Sequence, residues 1–289
     1  SLEKDINNHM SQITNHKLKI GIIGCGNMGS ALVENLRKVS KKDIFVFDKD
    51  RTRAESLVNR FGVVLCRNIN ELKKYCGVFI IAVKPQDIDP VLEELSDPGD
   101  KLIISIAAGI TLGFLETRLG KNAMIVRSMP NLNAMIAKSV TALCANKAVS
   151  SQDMSLAKEI FLSVGKVVFA EDSQMNGVTA VSGSGPAFVA YLYPDLSREQ
   201  IKSVLEKEAI GFGLSKDNAS IMADATIDGT LEMIKTNLDA SMLIKRVSSK
   251  GGTTEAGMKV LLEKGKSEEA LSAAIKAAEA RAGELARRQ

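Results

Sequence analysis

Three glycines spaced Gly-x-Gly-x-x-Gly, namely Gly24, Gly26 and Gly29, follow a short apolar run (Lys19–Ile23) and open an amphipathic segment (Ser30–Val39). The order is strand, tight turn, helix, and its chemistry is pyrophosphate binding. Gly24 permits the turn, Gly26 lets phosphates approach the backbone, and Gly29 lets helix and strand pack closely. The loop Gly24-Cys25-Gly26-Asn27-Met28-Gly29 then offers unpaired N–H groups at the positive end of a helix dipole. A second apolar run, Ile44–Phe47, ends in Asp48. That is roughly the 20-residue spacing expected of the carboxylate that meets the adenosine ribose. Together these residues predict a dinucleotide site for NADPH or NADH. Asp48 favours NADH because a carboxylate repels a 2′-phosphate, while Lys49, Arg51 and Arg53 offset it, so both cofactors are expected to work.

Other segments fall where an open α/β sheet binds ligands, beyond the carboxyl ends of its strands. They are Ala82-Val83-Lys84-Pro85-Gln86, Ser105-Ile106-Ala107-Ala108-Gly109 and Arg127-Ser128-Met129-Pro130-Asn131. Lys84 can neutralise phosphate, and Asn131 can bond a ribose or an amide. Equally, Pro85 and Pro130 can set turns and Asn131 can cap one. Further along, Val181-Ser182-Gly183-Ser184-Gly185-Pro186 and Ser248-Ser249-Lys250-Gly251-Gly252-Thr253-Thr254 each begin a helix with small residues. Consecutive N–H groups in a Gly-Gly turn at a helix start form a carboxylate-sized nest. The hydroxyls of Thr253 and Thr254 either cap that helix or face a ligand.

The elements that must position these residues change character along the chain. Strand patterns (Lys19–Ile23, Ile44–Phe47, Val63–Leu65, Val78–Val83, Leu102–Ile106, Ala123–Arg127, Val140–Ala145, Lys166–Phe169) alternate with helical ones at Ser30–Val39, Arg51–Arg60, Ile88–Leu95, Thr111–Arg118 and Ser151–Val164. Several strands are apolar throughout, as in a parallel sheet buried on both faces. The expected fold is therefore a doubly wound, mainly parallel α/β Rossmann domain over residues 18–173, after a polar leader at 1–17. Past Asp172 only helices are expected: Gln174–Val181, Pro186–Tyr193, Ser197–Phe212, Lys216–Thr236, Thr253–Glu263 and Ser267–Arg288. This all-α half, 174–289, is rich in Ala, Met and Leu, and a second copy of the chain would complete its core.

Composition narrows the function. The 289 residues carry 25% charged side chains and a net charge of only +4, with basic residues dispersed, which argues against nucleic acid as a partner. The apolar run Val78–Val83 is far too short to span a bilayer, and no secretory signal is evident. The four cysteines, Cys25, Cys66, Cys76 and Cys144, form no Cys-x-x-Cys pair and read as reduced thiols of a cytoplasmic protein. Both histidines, His9 and His16, precede the first strand. Ser-His-Asp catalysis, a His–Asp dehydrogenase pair and a histidine-ligated zinc are thereby disfavoured, and no metal is expected.

Five of these motifs, in this order, resemble the pyrroline-5-carboxylate reductases: Gly24 to Gly29, Ala82 to Gln86, Arg127 to Asn131, Ser182 to Ala187 and Gly251 to Gly257. The resemblance implies a Rossmann domain followed by an all-helical dimerisation domain, so a homodimer or higher oligomer. It implies reduction of 1-pyrroline-5-carboxylate, a cyclic imino acid, to proline with NAD(P)H. It also implies a substrate carboxylate pocket at Ser249, Gly251, Gly252, Thr253 and Thr254. Thr254 matches the threonine near the imine nitrogen, and Asn131 and Lys84-Pro85 match loops on the cofactor side. A protonated imine is already electrophilic, so hydride delivery requires orientation more than acid catalysis.

Three features depart from the family pattern. Lys250 stands in place of a turn proline, Leu132-Asn133 replace Thr-Pro, and the Tyr193–Lys207 region is longer. Lys250 motivates the alternative of a reductase for another cyclic imino acid. A nucleotide-binding paralogue without turnover would not need Gly251 to Thr254. A β-hydroxyacid dehydrogenase would need lysine four residues beyond Gly185, where Val189 stands.

Overall fold

Successive residues of a strand face opposite sides of a sheet, and in the central strands of this chain both sets are apolar. The computed structural model describes residues 19–40, 42–236 and 239–287. The expected leader and both histidines lie outside the described residues. Eight strands, β1 (Ile20–Ile23), β2 (Ile44–Phe47), β3 (Val64–Leu65), β4 (Val78–Ile81), β5 (Leu102–Ser105), β6 (Met124–Met129), β7 (Ser139–Ala145) and β8 (Gly165–Phe169), form one sheet. Its order is β3-β2-β1-β4-β5-β6-β7-β8. All neighbours are parallel except β6 and β7. The mainly parallel, doubly wound sheet expected from the sequence is thus present.

The sheet's helices are α1 (Asn27–Val39), α2 (Arg51–Phe61), α3 (Ile69–Tyr75), α4 (Ile88–Glu94), α5 (Leu112–Leu119) and α6 (Ser151–Leu162). Ile20, Ile22, Val78, Ile80 and Ile104 pack with Leu32 and Leu36 of α1, Leu57 of α2 and Ile160 of α6. On the opposite face Ile23, Phe79, Ile81 and Ile103 meet Leu72 of α3, Leu92 of α4 and Leu115 of α5. Burying one such side chain contributes roughly 1.5–3 kcal/mol. The second of these cores continues without a break through Val140 and Val168 into the helical region, reaching Val178, Phe188, Leu205, Ile227 and Ile275.

The helical region comprises α7 (Met175–Val178), α8 (Gly185–Leu192), α9 (Arg198–Gly211), α10 (Lys216–Thr236), α11 (Ala240–Val247), α12 (Thr253–Lys264) and α13 (Glu268–Arg287). A π turn, Thr179–Gly183, joins α7 to α8, so the two helices expected at 174–181 and 186–193 run on as one. Helix α9, which begins inside the Tyr193–Lys207 region, starts with a Ser197/Gln200 capping box. Arg198 and Lys202 tie it to Asp224 and Asp228 of α10.

Three features differ from the sequence expectation. Helices α3 and α11 were not anticipated. Each is short, with few buried apolar positions (Ile69 and Leu72; Leu243), and depends on a side-chain cap, Asn68 accepting from Glu71 N and Asp239 from Met242 N. Strand β6 also runs on past Arg127 to Met129, so Ser128 and Met129 lie in the sheet rather than in a loop. The antiparallel partner β7 pairs with Val126–Met129 and prolongs it.

Candidate functional site

A cleft of about 740 Å³ opens at the carboxyl ends of β1, β2, β4 and β5. Of the residues expected to hold the cofactor, Gly24, Gly26, Asn27, Met28, Asp48, Ala82, Val83, Lys84 and Pro85 line it, while Cys25, Gly29 and Asn131 do not. Gly24 has φ +102°, and a methyl there would sit 2.7 Å from the Ala82 carbonyl. A methyl on Gly29 would overlap the Gly24 carbonyl oxygen, so this glycine lets α1 start against the turn. At Gly26 an added methyl would meet nothing within 4 Å, because the position opens on the cleft. That space, with the α1 N-terminus behind it, fits a dinucleotide pyrophosphate.

Asp48 does two things at the end of β2. It borders the cleft, and its Oδ2 accepts from Cys25 N at 2.6 Å while Oδ1 accepts from Asp50 N at 2.8 Å. The carboxylate therefore also holds the glycine loop. The cations near it are paired: Lys49 with Asp87 across the cleft mouth at 2.7 Å, Arg53 with Asp50 at 3.1 Å, and Arg51 with Glu55 at 2.7 Å. Burial, and then the Asp48 charge, push the Cys25 thiol up to about 12, so it stays protonated. All four cysteines are buried and unpaired.

Asn131 is buried (2% exposed) away from the cleft. Its Oδ1 accepts from Asn133 N at 3.2 Å, capping the 3-10 turn Leu132–Ile136, and its Nδ2 donates to Ser182 Oγ at 3.2 Å. It ties the β6 end to the π turn. Asn133, where the family pattern has proline, donates to Thr226 O and Thr230 Oγ1 of α10.

The Ser249–Thr254 turn is arranged differently from a free nest. Gly251 N donates to Glu255 Oε2 at 2.7 Å, Gly252 N donates to Ser249 O at 3.0 Å, and Arg281 Nε of α13 donates to Gly251 O at 2.8 Å. The two glycine amides are engaged in bracing the turn. The amides of Thr253 and Thr254 lie in the first turn of α12, where no carbonyl of the same helix can accept from them. Neither threonine hydroxyl caps the helix: the cap position is Gly252. Instead Thr254, only 4% exposed, donates from Oγ1 to Ser184 Oγ at 3.0 Å, and Thr253 Oγ1 lies 3.0 Å from the same Ser184 oxygen. In the sequence Ser184 stands out only as part of the Ser182–Ala187 motif. The one available signal was a hydroxyl flanked by glycines before Pro186.

None of Ser249, Gly251, Gly252, Thr253 and Thr254 lines the cofactor cleft of its own chain. One link between them is Met129, which lines the cleft and packs against Gly183 of the π turn.

Similarity to known proteins agrees with this layout. Residues 172–285 match the family model "Pyrroline-5-carboxylate reductase dimerisation", and residues 19–109 match "NADP oxidoreductase coenzyme F420-dependent". The pyrroline-5-carboxylate reductase of Synechocystis sp. is 35% identical over 94% of this chain and 99% of its own length. That of Mycobacterium tuberculosis is 31% identical over 92% and 96%. A Coxiella burnetii pyrroline-5-carboxylate reductase structure superposes with a TM-score of 0.65 at 32% identity, covering 93% of this chain and 99% of that one. A Plasmodium falciparum pyrroline carboxylate reductase structure with NADP bound gives 0.61 at 27% identity, covering 93% and 97%. With a glycine-loop cleft at the sheet ends, an all-helical second region and relatives matched along almost their whole length, the chain belongs to the pyrroline-5-carboxylate reductase family.

Proposed function

We infer that the chain reduces 1-pyrroline-5-carboxylate to proline, and that its substrate lies on the first turn of α12 with Thr254 at the nitrogen. The cleft carries the cofactor half of this reading. Gly26 and the α1 N-terminus receive the pyrophosphate, Asp48 the adenosine ribose, and Lys84 adds positive charge. A bound dihydronicotinamide supplies the hydride. The remaining work falls to the chain: the Thr253 and Thr254 amides orient the substrate carboxylate, Ser249 and the Gly251-Gly252 turn frame it, and Thr254 Oγ1 contacts the ring nitrogen. No histidine occurs among the described residues, and a protonated imine requires none.

Turnover of Thr254→Ala tests the substrate half. One hydrogen bond to a charged partner contributes about 1.5–3 kcal/mol. We expect kcat/KM to fall about ten- to a hundredfold, with recovery in Thr254→Ser, and a stability loss of only about 1 kcal/mol, since Thr254 does not cap but gives up its buried bond to Ser184. Unchanged kcat/KM in folded Thr254→Ala would remove this residue from the site. Lys250, exposed in the turn, favours a second reading, a preference for another cyclic imino acid. Competing a larger cyclic imino acid against pyrroline-5-carboxylate in wild type and Lys250→Pro decides it.

Cofactor preference follows from Asp48. A carboxylate near a 2′-phosphate disfavours it by about 1–2 kcal/mol at an exposed site. Asp48→Ser should therefore raise the NADPH-to-NADH ratio of kcat/KM about tenfold. Both absolute values should drop, because Cys25 N loses its acceptor. A ratio that stays put places the ribose elsewhere.

The separation of the turn from the cleft of the same chain supports a site shared between two copies. We place the boundary of the two halves near residue 173, with the 174–289 half forming a homodimer. Four unpaired thiols favour the cytoplasm, and no described helix is long and apolar enough to cross a membrane. Co-expressing a cleft-inactive Gly26→Val chain with a Thr254→Ala chain should give activity well above that of either variant alone, as one mixed site carries both wild-type halves. Failure to complement in a confirmed heterodimer would put each site within one chain.

A further inference from the structure

We propose that Ser184 is a positioning residue of the reduction, turning Thr254 so that the site accepts an N–H from the protonated imine. The inference rests on the reading of Thr254 given above. Ser184 is fully buried, at 0% exposure. It receives the Thr254 hydroxyl hydrogen at 3.0 Å, and Thr253 Oγ1 lies 3.0 Å from its oxygen on the other side. A hydroxyl has one hydrogen and two lone pairs. With its hydrogen committed to Ser184, Thr254 Oγ1 can offer the substrate only a lone pair. A lone pair attracts the N–H of an iminium and repels the lone pair of a neutral imine. The arrangement thus selects the electrophilic form of the substrate without any ionisable side chain.

The backbone at Ser184 supports the assignment independently. Ser184 directly follows the π turn, and its N–H donates to Thr179 O at 2.8 Å, five residues back. An uninterrupted α-helix would bond it to residue 180 and rotate its side chain by most of a third of a turn. Insertions of this kind recur at functional sites. Here the extra residue aims Ser184 at the start of α12, some 70 positions along the chain.

The chemistry balances without a proton relay. As the imine carbon gains hydride, the C=N π pair withdraws onto nitrogen, which keeps its hydrogen and becomes a neutral amine. Thr254 Oγ1 continues to accept that N–H, and the amine takes its second proton from solvent on release.

The test is a double-mutant cycle on the full-length protein, with pyrroline-5-carboxylate and NADPH. Ser184→Ala should lower kcat/KM about tenfold, mostly in kcat, with the KM for NADPH unchanged. Because Ser184 acts through Thr254, adding Ser184→Ala to Thr254→Ala should cost less than about twofold more. Ser184→Cys, of similar size with a weaker acceptor, should fall between serine and alanine and provides the readout if the alanine variant folds poorly. Equal losses in both backgrounds would overturn the positioning role alone, as would wild-type kcat/KM in folded Ser184→Ala. Wild-type kcat/KM in Thr254→Ala would remove the underlying reading of Thr254, and this role with it.

Discussion

Gly29→Ala should cost the protein both its cofactor and much of its stability. The added methyl would overlap the Gly24 carbonyl oxygen, a backbone atom that cannot swing aside as a side chain can. Gly24 is held in turn, since its own Cβ position abuts the Ala82 carbonyl and Val83 N. Relief therefore requires α1 to move off β1, opening the layer packed by Ile22, Leu32 and Leu36. Overpacking of this kind costs about 1–3 kcal/mol and more where backbone must move. We expect a loss of about 3 kcal/mol in denaturant unfolding. NADPH affinity should drop by about a hundredfold, because a displacement of about 1 Å misaligns the phosphate donors. Gly26→Ala provides the contrast. Its methyl enters open cleft space, so it should unfold like wild type and lose affinity alone. If Gly29→Ala keeps wild-type unfolding and NADPH binding, the close approach of helix and turn is not what this glycine serves.

Asp172→Ala should be comparably damaging, although Asp172 does not line the cofactor cleft. Arg127 is 3% exposed on β6, and its Nη1 donates to Asp172 Oδ1 at 2.6 Å. Asp172 also accepts from Leu112 N at the start of α5, and Cys144 Sγ lies 3.9 Å from it. One carboxylate thereby joins the sheet, α5 and the segment that leads into the helical region. Removing a partner of a buried ion pair leaves an uncompensated charge and costs about 3–5 kcal/mol. Asp172 is itself a third exposed, so water can reach Arg127 after the change, and we expect about 3 kcal/mol. Truncating both partners, with Arg127→Met and Asp172→Ala combined, should recover part of the loss, because no charge is then buried. A double variant less stable than Asp172→Ala would show that an unpaired Arg127 charge is not the source of the loss. Urea unfolding followed by circular dichroism measures both.

Much of the molecule was legible because it is local. Each of the eight strands was placed to within a few residues, since β-branched and other apolar runs buried on two faces admit few alternatives. The Gly24-x-Gly26-x-x-Gly29 spacing and Asp48 specify strand, turn, helix and acid within a single βαβ unit, and the cleft forms there. Where local signals are thin the reading was incomplete. Helices α3 and α11 are held by Asn68 and Asp239 as much as by apolar periodicity. Strand β6 extends past Arg127 to Met129 because β7 pairs with it.

The amino-acid sequence alone therefore determined the Rossmann half, the cofactor loop and the helical character of the second half, because turn chemistry and apolar period act over a few neighbouring residues. Tertiary structure alone decided how the polar groups are used. Asn131 caps a turn and reaches Ser182, the Gly251 and Gly252 amides brace their own loop, and Thr253 and Thr254 converge on Ser184. Each of the side-chain pairings with Ser182 and Ser184 joins residues some 50 to 70 positions apart. A serine or asparagine bonds whichever buried group the packing brings within about 3 Å, and that geometry exists only once the π turn, α12 and the end of β6 share one core.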